Sequence, residues 1–296
     1  MRLTKLLTAA IAAIGLVGSA HAAGGVKHPH GPDDGWSFEG PLGTFDQGQL
    51  QRGYKVYREV CAACHGMELL SYRNLGQVGG PFYDENYPNP NDNPVVKQIA
   101  SEFSVRTIDE ETGDELDENN VPLTRPAITS DAFASPYAND AAARAVNGGA
   151  LPPDLSVINK ARHGGASYIY SLLTGYPSDE KMEKDYAELS VTPGQYYNPY
   201  FSGDTSGNWS GDPRYAPYGG FLAMAPPLIE GQVDYDDGTE ATVSQMAQDV
   251  AIFLAWAGEP KQTVRKQLGL STMIYLLVLT VLVYFSYRRI WRNVEH

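Results

Sequence analysis

Apolar positions fall into a few helical stripes, separated by long polar stretches rich in glycine and proline. The first stripe begins near Asp46. Leu50, Tyr54, Tyr57, Cys61 and Cys64 recur along one helix face. Asp46 and Gln49 form a capping pair at its start, and Gly66 lies close to its stop. The second stripe is Val243, Met246, Ala247, Val250, Phe253, Leu254 and Ala257, opened by Thr242 with Gln245 and ended by Gly258. This helix is expected to pack across the first. Three short helices are predicted between them: 141–147 capped by Asp140, one opened by Pro152-Pro153-Asp154 and reaching about Arg162, and one from Ser167 to Leu173. The last apolar run, Leu268 to Tyr287, holds no Asp, Glu, Lys or Arg. At helical rise it covers about 28–30 Å, the thickness of a bilayer core. Tyr275, Tyr284, Tyr287 and Trp291 lie toward its ends, where aromatic rings anchor in the interfaces.

The remaining stretches carry other signals. Residues 1–23 read as a secretory signal: Arg2 and Lys5, a short apolar run from Leu6 to Val17, and the small-x-small site Ala20-His21-Ala22. Residues 24–45 look like an irregular arm whose His28 and His30 are solvated. Residues 78–140 are broken by Gly79-Gly80-Pro81 and Asn91-Asp92-Asn93-Pro94 and predict little regular structure; residues 176–222 read as surface loop. The predicted organisation is signal peptide 1–23, exported domain 24–260, basic linker 261–267, transmembrane helix 268–287 and cytoplasmic tail 288–296. Three basic residues flank each side of the span, so the signal peptide sets the orientation: body outside, tail in the cytoplasm.

Charge sharpens this picture. The chain of 296 residues has a net charge of −13. Residues 24–260 hold 14 Lys and Arg against 34 Asp and Glu, a balance of −20. Such a body repels nucleic acid and speeds encounter with basic proteins. The densest run, Asp109 to Glu118, reads as a solvated loop, with a docking patch for a basic protein as the sharper and compatible alternative.

The chemistry sits in Cys61-Ala62-Ala63-Cys64-His65, which holds the chain's two cysteines. C-x-x-C-H is the attachment pattern of a c-type haem. The two thiols reach the same edge of one porphyrin and add to its vinyl groups, and the following imidazole faces the iron as proximal ligand. A thiolate zinc site wants more Cys or His nearby, and a thioredoxin-like dithiol would follow a strand. With both cysteines used in this way, cysteine pairing says nothing of compartment. A haem that only transfers electrons takes a second protein ligand. Met67 is too near His65, Met182 sits in a charged stretch and Met273 in the apolar span. Met224, beside the stiff Pro226-Pro227 pair, is the leading candidate, with His163 and Met246 as rivals.

In order along the chain come Cys61–His65, Ala150-Leu151-Pro152-Pro153-Asp154-Leu155-Ser156, Arg162-His163-Gly164-Gly165, Ser171-Leu172-Leu173-Thr174-Gly175-Tyr176, Met224-Ala225-Pro226-Pro227, Asp249-Val250 and Phe253-Leu254, then the terminal anchor. This set resembles the cytochrome c1 family, the haem subunits of quinol–cytochrome c oxidoreductase (bc1) complexes, over nearly the whole mature chain. The resemblance implies a mainly α, class I-type cytochrome c fold with long loop insertions plus one C-terminal transmembrane helix. It implies one haem c bound through Cys61 and Cys64, His65 and Met224 as axial ligands, and Arg162 at a haem propionate. Implied partners are cytochrome b, the Rieske iron–sulfur protein and a basic cytochrome c, with membrane lipid around the anchor. The implied role is an electron relay that is not catalytic alone, on the periplasmic side of a bacterial inner membrane. Ala166-Ser167 departs from the acidic pair common after the Gly-Gly, and the 201–222 loop is longer than in short members.

Overall fold

The computed structural model describes residues 25–293; the predicted signal peptide lies outside the described residues. The chain forms two compact units. One comprises 25–28 with 176–222, the other 29–175 with 223–293.

The larger unit is built on two helices, α1 (Gln47–Glu59) and, far along the chain, a long one at Val243–Gly258. α1 starts as expected: the Asp46 side chain accepts the Gln49 N–H at 2.8 Å. It buries Leu50, Gly53, Tyr54, Val56 and Tyr57. The predicted continuation through the cysteines fails. α1 stops at Glu59, and Cys61–Ala63 forms a separate 3-10 turn. The tighter winding turns Cys64 out of the stripe and leaves it exposed.

Between them come α2 (Pro94–Ser101), α3 (Asp140–Val146), α4 (Ile158–Ala161) and α5 (Gly165–Thr174). α2 corrects the reading of 78–140. Asn93-Pro94, taken as loop punctuation, is an N-cap followed by proline at the first helical position. Asn93 is buried and accepts the Val95 and Val96 N–H groups, while Val96, Ile99 and Ala100 enter the core. A two-stranded antiparallel ribbon follows, β1 (Ser104–Arg106) with β2 (Thr124–Pro126), in register Val105 with Arg125. The acidic run is the tip of this ribbon. Asp109 accepts the Glu111 and Thr112 N–H groups and Asp117 those of Asn119 and Val121, so these carboxylates build turns while facing water. α3 is capped by Asn139, one residue before the predicted Asp140. The helix expected from Pro152 shrinks to α4, and α5 starts two residues early, from Gly164 at φ 92°. The N-terminal arm is irregular, as expected, and is pinned to α5. Trp36 Nε1 donates to Ser167 Oγ at 2.8 Å, and the His30 N–H donates to Ser171 Oγ at 2.8 Å.

The smaller unit corrects the reading of 176–222 as plain loop. It contains α6 (Asp179–Asp185) and an antiparallel pair, β3 (Tyr196–Asn198) with β4 (Gly220–Leu222). Residues 25–28 join it through Lys27 N–H to the Pro199 carbonyl at 3.0 Å. Its strands are too short and its Tyr, Pro and Gly content too high to show a period.

The Val243–Gly258 helix, α7, has Thr242 as its N-cap, with the Gln245 N–H reaching Thr242 Oγ1 at 3.1 Å. It crosses α1 and α5. The α1 crossing is close because residue 53 is glycine: a Cβ there would collide with the Asp249 carbonyl and lie 2.7 Å from Phe253 Cβ. The buried Asp249 carboxylate takes a fork of two hydrogen bonds from Arg52, at 2.9 and 3.2 Å, and a third from Gln245 at 3.1 Å. Burial pushes this carboxyl up while the Arg52 bonds pull it down. Arg52 also reaches Asp237 at 2.6 Å, so one guanidinium ties α1 to α7 and to the loop before it.

The final helix, α8 (Gln262–Trp291), has 30 residues and buries none of them. It is long and apolar enough to cross a membrane. The basic stretch expected as a linker is its first turns. The mainly α composition and the crossing of the first and last helices of the body agree with the expected fold class.

Candidate haem site

The site begins where α1 runs out. Cys61 and Cys64 lie at either end of one 3-10 turn, held by the Cys64 and His65 N–H groups, which both donate to the Cys61 carbonyl, at 3.1 and 2.9 Å. Neither is in a disulfide. Cys61 is half-buried, and burial, with Cys64 beside it, pushes its thiol up to about 12. Behind the turn, Tyr57 donates to the His65 carbonyl at 3.2 Å, and its ring lies 5.8 Å from that of Phe253 on α7. The core of the α1–α7 crossing thus supports the turn directly.

His65 is oriented by a second segment. Its Nδ1 lies 2.8 Å from the Pro153 carbonyl. A carbonyl only accepts, so Nδ1 carries the hydrogen and, in the neutral ring, Nε2 keeps the lone pair. Burial holds the imidazole below its ordinary value, favouring that neutral form against the Pro153 bond and Asp154. The 153–156 segment is stitched to the chain after His65. The Leu155 N–H donates to the Gly66 carbonyl at 2.8 Å, the Glu68 N–H to Asp154 Oδ2 at 2.8 Å, and the Leu69 N–H to Ser156 Oγ at 3.1 Å. A metal-binding imidazole fixed by a carbonyl on its other nitrogen is the usual arrangement of such ligands. Leu69 and Leu151, on the two sides of this seam, are 72% and 36% exposed. They leave apolar surface beside the motif.

The other expected residues lie elsewhere in the chain. Met224 is half-buried in an irregular segment just before Pro226-Pro227. Among its rivals, Met246 is fully buried in the first turn of α7 and His163 is exposed between α4 and α5. Met67 is fully buried under the motif, and Met273 is exposed on α8. Arg162 ends α4, exposed, and donates to the Ala161 carbonyl at 3.1 Å. It also pulls down the Tyr168 phenol, which burial otherwise raises. Among the described residues no carboxylate forms an ion pair with Arg162, so its charge remains available to an acidic group.

The donor set fits a covalently held haem. It offers two unpaired thiols on one turn, an imidazole fixed through Nδ1, and apolar side chains beside them. Among the described residues no cluster of three or more His, Cys, Asp or Glu is placed to hold a metal ion, so nothing resembles a closed zinc site. Sequence reasoning from the residues alone missed Tyr57, Asp154 and Ser156. The Pro-Pro-Asp-Leu-Ser run was the available signal, since Asp and Ser after prolines are local hydrogen-bonding residues.

Comparison with known proteins agrees with this geometry. The Cytochrome C1 family model matches residues 36–294. The chain is 39% identical to cytochrome c1 of Rhodospirillum rubrum, over 99% of this chain and 100% of that protein. It is 43% identical to the mitochondrial cytochrome c1 heme protein of Saccharomyces cerevisiae, over 90% of this chain and 74% of the relative. It is also 36% identical to cytochrome b/c1 of Bradyrhizobium diazoefficiens, over 97% of this chain but 39% of that longer protein. A turn that presents two thiols and one oriented imidazole, followed by an apolar terminal helix, therefore sits in a chain that belongs to the cytochrome c1 family.

Proposed function

We propose that this chain is the membrane-anchored haem subunit of a quinol–cytochrome c oxidoreductase, relaying single electrons from the Rieske iron–sulfur protein to a basic cytochrome c. The observation that carries the reading is His65, fixed by the Pro153 carbonyl through Nδ1 directly after a turn bearing both cysteines. Cys61 and Cys64 would hold the haem covalently, and His65 Nε2 and the Met224 thioether would bind its iron. Bound there, the haem supplies a reversible one-electron couple, and a thioether ligand raises its potential. The chain's residues do the rest. Tyr57 and the 153–156 seam keep the His65 ring in place, and Arg162 offers a cation to a propionate. If His65 and Met224 both bound the iron, the haem would offer no open position to a substrate, and the subunit would act as a relay rather than an enzyme by itself.

Three further features support the assignment. The Bradyrhizobium relative's name joins b and c1 in one chain, in keeping with cytochrome b as a partner. α8 would anchor the chain by a single pass, and the signal-type start is consistent with a body on the periplasmic side of a bacterial inner membrane and a C-terminus in the cytoplasm. The exposed acidic tip of the β1–β2 ribbon is a surface for steering a basic cytochrome c.

The test is Met224→Leu in the full chain with haem attached. The expected result is a sharply lower potential and prompt CO binding by the reduced protein, with pigment still bound to the polypeptide after denaturing extraction. A variant that keeps the parent's potential and stays inert to CO excludes Met224 as a ligand.

A further inference from the structure

We propose that the body itself rests on the bilayer surface beside α8, through two exposed apolar side chains, Leu42 and Val78, covered by lipid at the boundary of headgroups and acyl chains. The proposal rests on the reading of α8 as a membrane span. The first observation is Lys266, in the second turn of α8. Its Nζ donates to the Phe38 carbonyl at 2.5 Å and the Gly43 carbonyl at 3.1 Å. Lys266 precedes the start of the apolar run at Leu268 by two residues, about 3 Å along the helix. The turn it grips contains Leu42, which is 70% exposed. The second observation is Gly79. A Cβ built there would lie 3.7 Å from Thr263 Cβ, so the turn around it packs on the first turn of α8. Its neighbour Val78 is 51% exposed. Thr263 stands five residues before Leu268, about 7–8 Å of rise.

These heights select the partner. Headgroup layers add about 10–15 Å to a core of about 30 Å, or about 5–8 Å on each side. Both turns lie at that level. Isolated exposed apolar side chains are ordinary on a protein surface. What sets these two apart is that separate loops, 36 residues apart in sequence, are each fastened to the root of the same helix. At the same end of α8 Lys261 is exposed and adds a cation that favours anionic headgroups, while Arg265 beside it is paired with Glu259. Apolar tips flanked by basic residues, continuous with a spanning helix, are the pattern of an interfacial contact.

The test uses the full chain with haem attached, so that an added cysteine is the one reactive thiol. Leu42→Cys, Val78→Cys, Met273→Cys and Glu115→Cys are labelled with a nitroxide and placed in nanodiscs containing anionic phospholipid. Collision with oxygen and with a water-soluble nickel chelate is then read by spin resonance. The expected result is an oxygen-to-nickel ratio at 42 and 78 several-fold above that at 115 and approaching that at 273. Water-like ratios at 42 and 78 with a lipid-like ratio at 273 overturn the proposal and leave α8 as a span. A water-like ratio at 273 removes the span and the proposal together. Shielding of 42 and 78 from both reagents, seen only in the assembled complex, assigns the surface to a protein partner and also overturns it.

Discussion

α7 and α8 follow one another with three residues between them, and both are apolar, yet they meet opposite surroundings. In α7, 11 of 16 residues are buried, on more than the one face that the stripe predicted: Ala251, Ile252, Ala255 and Trp256 are covered as well. In α8 none of 30 is buried. Composition does not separate the two. What separates them is whether a charge sits within the apolar stretch. α7 takes a carboxylate, Asp249, into the core, which is tolerable because Arg52 and Gln245 satisfy it there. The apolar run of α8 carries no charge and, among the described residues, is covered by no element that could pair with one. A helix for a protein interior tolerates a charge if its partner is built in, whereas a helix for lipid omits it.

Paired substitutions sharpen this contrast. Phe253→Ala on α7 should destabilise the body by about 3–5 kcal/mol, by loss of contacts and cavity formation. Phe285→Ala on α8, where the ring is 62% exposed, should leave thermal unfolding of the body unchanged. Equal losses of Tm from the two would end the distinction. The reverse asymmetry is expected for charge: Leu276→Arg should cost about 2.5–3.5 kcal/mol of membrane insertion. Carbonate extraction of membranes would show it as a released fraction, with the haem spectrum unchanged. Gly53→Ala tests the helix crossing. It forces a methyl against the Asp249 backbone and should cost about 1–3 kcal/mol as overpacking, visible as a lower denaturation midpoint.

The smallest expected effect concerns acid. Backbone and side-chain hydrogen bonds from Thr239, then Arg52, hold the Asp237 carboxyl down at about 2. A carboxyl depressed on folding contributes its stability above its unfolded value and loses it as pH falls toward the folded one. Asp237→Asn should therefore lower stability modestly at pH 6 and match the parent near pH 2. A difference that persists undiminished at pH 2 would assign the effect to something other than this charge.

Much of this was legible along the chain. The caps at Asp46 and Thr242, the stripe of α1, the placement of α8 and the C-x-x-C-H motif each rest on neighbours within one or two helical turns, and such local signals survive in a sequence. Where short-range chemistry was ambiguous, the reading went wrong. Asn93-Pro94 is equally good as a loop or as a helix start, and what decides it is the burial of Val96, Ile99 and Ala100 against distant residues. The cysteines fit the α1 stripe, yet the chain tightens at Cys61 so that Cys64 turns outward.

The sequence by itself determined the C-x-x-C-H motif at Cys61, Cys64 and His65 and the apolar helix near the C-terminus, because both depend on spacing along one stretch of chain. The orientation of His65 by the Pro153 carbonyl, 88 residues away, was decided only in three dimensions. So were the close approach at Gly53, the pairing of Arg52 with Asp249 and the fastening of two loops to the root of α8. Each joins groups that nothing in their local sequence relates, and only the packed core sets their distance.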